Sequence, residues 1–171
     1  MGSDDTQGVA LLGRADDLAR LDELSAGARS RRGGAITIVG APGVGKTALL
    51  SAVGPAGVRV IDVTAAESEV ALPWTGLASL LEPLLDHDAA LTPTARGALR
   101  GALALEEPTT VADSARVLHA AVGLLAAAAE HEPLLLRMDD VQWLDPSSRQ
   151  AIAFIVRRAA DIGIAAIAVW S

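Results

Sequence analysis

Gly40-Ala41-Pro42-Gly43-Val44-Gly45-Lys46-Thr47 follows a short β-branched run, Ala35 to Val39, and leads into a helical pattern from Lys46 to about Val53. The stretch fits G-x-x-x-x-G-K-[ST], in which each fixed position has a physical reason. Glycine reaches backbone dihedrals that a Cβ would forbid, so successive N–H groups can turn inward toward phosphate oxygens. The helix that opens at Lys46 adds the positive end of its dipole. Lys46 offers an ammonium to the β- and γ-phosphates, and the Thr47 hydroxyl is a hard oxygen ligand for Mg²⁺. Gly40, Ala41, Pro42, Gly43, Val44, Gly45, Lys46, Thr47 and Ala48 are therefore the candidate phosphate contacts.

Such a loop needs a carboxylate at the end of a neighbouring strand to anchor Mg²⁺. Leu134-Leu135-Leu136-Arg137-Met138-Asp139-Asp140 supplies one. Asp139 is the candidate Mg²⁺ partner, with Thr47. Asp140 is the candidate to orient or deprotonate an attacking water, and with Lys46 forms the catalytic pair. The plain alternative is a solvated Asp-Asp turn. Arg137 stands alone in an apolar strand, on the face of Asp139 by strand alternation. It can pair with a carboxylate or approach a phosphate, but an exposed strand end is the expected explanation, because a buried unpaired arginine is too costly.

Working outward, Leu18, Leu21 and Leu24 have helical spacing within 15 to 29, and Gly33-Gly34 stops that helix. The Ala35–Val39 strand lacks polar alternation beyond Thr37, so it is expected to be buried on both faces. Val58 to Thr64 reads as a second strand. Residues 74 to 86 read as a helix bent or interrupted at Pro83. Thr92-Pro93 caps a helix of about 93 to 104, and Thr110, with Asp113 three residues on, caps one of about 111 to 130. Strands follow at Leu134–Asp139 and Ile162–Trp170, separated by a helix capped by Asp145-Pro146 and running to about Ala160. Strands alternating with helices imply parallel βαβ units. The expected fold class is α/β, a P-loop NTPase with a doubly wound parallel sheet and helices on both faces, its core ending after the fourth strand. Residues 1–171 read as one domain, with a lead-in helix at about 15–30 and the core at 35–171.

Composition narrows the function. Aromatics make up 2 % of the chain against 51 % hydrophobic residues, so the core must be aliphatic. A net charge of -7 argues against direct nucleic-acid contact by this segment. The chain has no cysteine, which excludes disulfides and thiolate chemistry. The apolar run Ala120–Ala129 is about half the ~20 residues that a membrane span needs, and no signal peptide is visible. A soluble, cytoplasmic protein is expected. Lys46 is the only lysine.

With these segments placed, the chain resembles the nucleotide-binding domain of the large ATP-binding regulators of the LuxR family, which belong to the STAND class of signalling P-loop ATPases. The likeness runs from about Leu11 to Val169. It is carried by Leu12-Gly13-Arg14, by GAPGVGKT at 40 to 47, by Ser68-Glu69 and Leu72-Pro73-Trp74-Thr75-Gly76-Leu77, and by Asp139-Asp140-Val141-Gln142-Trp143-Leu144-Asp145. The resemblance implies that Leu12, Gly13 and Arg14 lie near the adenine, although Arg14 also reads as an exposed charge at a helix start. It implies a switch between bound ATP and ADP, slow hydrolysis, and nucleotide-dependent self-association. It also implies a DNA-binding helix-turn-helix far toward the C-terminus of the whole regulator.

The chain departs from the family where an arginine often follows the last strand, since Trp170-Ser171 stand there. A fifth strand, a helical lid and the later domains are not in this sequence, which reads as a fragment or a natural short form. A small-molecule kinase or another P-loop phosphotransferase is the alternative, although no arginine-rich lid supports it. A nucleotide-free interaction module is a third reading, opposed by intact Lys46, Thr47 and Asp139. His87, His119 and His131 are scattered without ligand spacing, and structural or surface roles are expected. Trp143 reads as a packing anchor rather than a base-stacking platform. Glu67 and Glu69 lie at the carboxyl edge of the sheet, where ligands bind, or cap a helix.

Overall fold

The computed structural model describes residues 14–106 and 113–171. Their strands are β1 (Gly34–Val39), β2 (Arg59–Thr64), β3 (Leu134–Asp139) and β4 (Ala165–Trp170). All are parallel, in the order β1-β4-β3-β2. The helices are α1 (Ala15–Ala28), α2 (Lys46–Ser51), α3 (Thr75–Leu81), α4 (Pro93–Ala102), α5 (Ser114–His131), α6 (Pro146–Val156) and α7 (Ala159–Ile162).

The alternation of side chains along the strands sorts the core into two layers. Leu135, Ala165, Ile167 and Val169 face α1 and α2, packing with Leu21, Leu49, Leu50 and Val53. Leu134, Leu136, Met138, Ala166 and Ala168 face the other way, onto Leu77 of α3, Leu124 of α5 and Ile152 of α6. Helices thus cover both faces, as the sequence predicts. No helix among the described residues is long and apolar enough to cross a membrane.

β1 differs from expectation. Only Ile36 and Ile38 pack against a core layer, while Ala35, Thr37 and Val39 are exposed, Val39 at 73 %. Among the described residues β1 pairs with β4 alone, so it is an edge strand with one open face. An apolar run cannot reveal this, because sheet position is set by strand order and not by local composition.

The caps at Thr92 and Asp145 form as expected: the Thr92 side chain accepts from the Ala95 amide at 3.3 Å, and Asp145 Oδ1 from the Ser148 amide at 2.9 Å. The helix before β3 starts later than the sequence suggests. Asp113 is its N-cap, accepting from the Ala115 amide at 3.1 Å, and Thr110 lies outside the described residues. The 74–86 segment divides near Pro83 into α3 and a 3₁₀ stretch, Glu82–Ala90. The 146–160 helix ends at Val156, and α7 follows separately.

α3 and α6 approach closely at Gly76. A Cβ there would run into Leu144 Cδ2 and lie 3.2 Å from Ser148 Cβ. Leu144 is buried, so it has little room to yield. Gly76→Ala is expected to cost about 1–2 kcal/mol of overpacking strain, read as a melting point lower by roughly 3–6 °C.

Candidate nucleotide site

The glycine loop joins the end of β1 to the start of α2. Gly43 (φ 79°) and Gly45 (φ 83°) both sit in the left-handed region, and Gly45 is the residue that caps α2. A Cβ at either would meet nothing within 4 Å. Conformation rather than crowding therefore demands glycine here, since a side chain is disfavoured at such φ.

Lys46 opens α2 and is 6 % exposed. Its ammonium donates to the carbonyls of Gly40 and Ala41, both at 2.8 Å, so the side chain curls back over its own loop. Thr47 is exposed beside it. An open cleft of about 610 Å³ is lined by Pro42, Gly43, Gly45, Lys46, Thr47, Ala48 and Ser51 on the loop side, and by Asp140 and Ser171 opposite. That volume lies in the range of small-molecule sites.

Of the acidic pair, only Asp140 reaches the far wall. Asp139 ends β3 and is buried at 6 % exposure; its Oδ1 accepts from the Asp140 amide at 2.9 Å. It is not among the residues lining the cleft, whereas half-buried Asp140 is. Asp140 has φ 53° and ψ 40°. Its Oδ1 accepts from Gln142 Nε2 at 2.9 Å, and Gln142 Oε1 accepts from the Ser171 amide at 3.0 Å. A carboxylate only accepts and a backbone N–H only donates, so this bridge admits one orientation of the Gln142 amide. No local sequence signal reveals this bridge, because Ser171 follows β4, 29 residues from Gln142.

Arg14, the residue before α1, donates from Nη2 to the Val44 carbonyl at 3.1 Å and from Nη1 to Asp17 Oδ2 at 3.2 Å. It reaches the phosphate loop from outside and lines a separate cavity of about 260 Å³ with Arg20, Ile36, Ile38 and Leu49. It is neither a free helix-start charge nor a wall of the main cleft. Leu12 and Gly13 lie outside the described residues.

Of the other expectations, some hold and some need correction. Trp143 is 37 % exposed; Val141 and Leu144 are the buried anchors of the segment after the acidic pair. Glu67 and Glu69 are exposed in a single 3₁₀ turn and neither caps it. His87 and His131 are brought together, with ring centroids 4.9 Å apart, while His119 packs edge-on against Phe154. No group of three or more His, Cys, Asp or Glu among the described residues is arranged to hold a metal. Arg137 is not an exposed strand end: its side chain is 17 % exposed and paired with Asp62.

Two segments that are distant in sequence meet at Asp145. Its buried Oδ1 accepts from the Trp74 amide at 3.0 Å as well as from that of Ser148. The Ser148 hydroxyl accepts from the Leu77 amide at 2.9 Å. The stretch Leu72–Leu77 is thus fastened to the chain that leaves the acidic pair.

Searches of curated proteins and of solved structures each returned no match. A family model described as the AAA ATPase domain matches residues 10–167, spanning the loop, the acidic pair, the first three strands and the start of β4, and the chain accordingly belongs to that family of nucleotide-binding P-loop domains.

Proposed function

We propose that this chain is an ATP- and ADP-binding switch domain, with slow or no turnover, of a bacterial LuxR-type transcriptional regulator. The nucleotide part of the reading is supported by the convergence of Lys46, Thr47 and Asp140 on one cleft under a glycine loop. The loop amides and the α2 N-terminus take the phosphates, and Lys46 exchanges its two carbonyl partners for β- and γ-phosphate oxygens. The donor set suits Mg²⁺, since Thr47 and Asp139 are both hard oxygen ligands. When bound, the ion would neutralise phosphate charge. Asp140, with Oδ1 taken by Gln142, keeps Oδ2 to orient or deprotonate a water.

The regulatory part is supported by one observation. Two of the segments that carry the resemblance, Leu72–Leu77 and the distinctive Gln142–Asp145, are joined through Asp145 Oδ1 and the Trp74 amide. A joint of this kind connects the chain after the acidic pair to the helix layer. Nucleotide-dependent self-association follows from the same reading, with no direct nucleic-acid contact by this segment.

Thermal melting with and without ligand tests the proposal. Magnesium-ATP at 100 times its dissociation constant is expected to add about 2.7 kcal/mol, raising the melting point by roughly 5–10 °C. ADP is expected to act similarly. No shift with excess magnesium-ATP would favour a nucleotide-free interaction module. A metabolite phosphorylated at ordinary kinase rates would favour a phosphotransferase instead.

A further inference from the structure

Arg137 occupies β3, an interior strand of the sheet, two residues before Asp139. Its Nε and Nη2 donate to the two carboxylate oxygens of Asp62, its register partner on β2, at 2.6 and 2.7 Å. Its Nη1 points the other way and donates to the carbonyls of Val53 at 2.7 Å, Leu50 at 3.3 Å and Ser51 at 3.4 Å. Leu50 and Ser51 end α2, and Val53 lies just past its C-cap, Ala52. A helix leaves its final carbonyls without intrahelical partners and carries partial negative charge there. α2 has no basic residue in its last turn, and Ala52 at its C-cap has no polar side chain. The missing cation comes from the sheet.

α2 is also the element that presents Lys46 and Thr47. At six residues it spans only about 9 Å and is too short to hold its shape unaided. On β3, Leu135 packs beneath α2 with Leu49 and Leu50, Arg137 holds the carbonyl end, and Asp139 ends the strand next to Asp140 of the cleft. Arg137 and Asp139 are about 7 Å apart along the strand. One strand therefore registers the far end of α2 and also carries the acidic pair.

We infer that Arg137, oriented by Asp62, is a positioning residue for the nucleotide site: by holding the C-terminal end of α2 against β2 and β3, it sets where Lys46 and Thr47 meet phosphate. The inference rests on the nucleotide-binding reading above. Its effect passes through the helix, and the guanidinium does not touch the ligand.

The test is calorimetry of magnesium-ADP and magnesium-ATP with the full chain and three variants, each below its own melting temperature as followed by circular dichroism. Arg137→Met is expected to weaken both nucleotides about ten-fold. Arg137→Lys restores a cation to the α2 carbonyls but not the two-pronged bond to Asp62, and is expected to recover part of that loss. Asp62→Asn is expected to weaken binding about three-fold. If Arg137→Met melts lower yet binds within two-fold of the parent, the residue is only a brace for the fold and the inference is overturned. Should Arg137→Met not fold, unchanged affinity in both Arg137→Lys and Asp62→Asn overturns it equally. A parent chain that binds neither nucleotide overturns the underlying reading and this one with it.

Discussion

Lys46→Ala is expected to weaken magnesium-ATP binding by about 100-fold while leaving the chain folded. The ligand-free side chain donates to two neutral carbonyls, those of Gly40 and Ala41. Nucleotide binding replaces them with phosphate oxygens, and a charge-assisted bond to an ionised acceptor is about twice as strong as a neutral one. No second lysine exists to take over, and the arginine nearest the loop, Arg14, is committed to the Val44 carbonyl and Asp17. The variant leaves the loop glycines and the α2 N-terminus intact, so residual weak binding by main-chain amides is expected. Calorimetry of parent and variant side by side, with circular dichroism to verify the fold, decides the matter. Equal affinities would refute the nucleotide reading.

Asp145→Ala is expected to cost about 3 kcal/mol, a fall of roughly 10 °C in melting point. One carboxylate oxygen caps α6 and also satisfies the Trp74 amide at the start of α3. Alanine removes the cap and leaves both amides without that acceptor. Burial, the strongest influence on this carboxyl, raises its pKa. The hydroxyl and amide of Ser148 and the amides of Trp74 and Gly76 together outweigh burial, and hold the pKa below the ordinary aspartate value of 3.8. A carboxyl depressed on folding contributes stability above its unfolded pKa, near about 4, and loses it as pH falls through the folded value. The stabilisation is thus complete at neutral pH and fades only in acid. Asp145→Asn keeps an Oδ1 acceptor and a good capping residue but not the charge, so it should melt below the parent and above Asp145→Ala at neutral pH, and lose this part of the acid dependence. Melting curves for parent, Asn and Ala between pH 7 and pH 3 test both statements; an Asn variant with the parent's full acid slope would count against the role of the carboxylate.

Much of the fold was legible because its signals are local. The glycine loop, the strand-helix alternation and the caps at Thr92 and Asp145 depend on residues within a few positions of one another. What escaped depends on neighbours across the sheet. Arg137 reads as an exposed strand end until Asp62, 75 positions away, is placed beside it by the β2–β3 register. β1 reads as buried because its residues are apolar, yet sheet order leaves it at an edge. Trp143 reads as a packing anchor, whereas it is 37 % exposed and its neighbour Leu144 is buried. Within the site, Lys46, Thr47 and Asp140 were readable from spacing alone. The bridge from Asp140 through Gln142 to Ser171 was not, because it joins the ends of two strands.

The backbone of Asp140 has a consequence for stability of the domain. A non-glycine residue at φ 53° is held about 1 kcal/mol or more above a relaxed conformation. Glycine would release that strain but would also delete the carboxylate that faces the cleft. On the nucleotide-binding reading proposed above, the same position would trade a little stability for a carboxylate that faces the cleft.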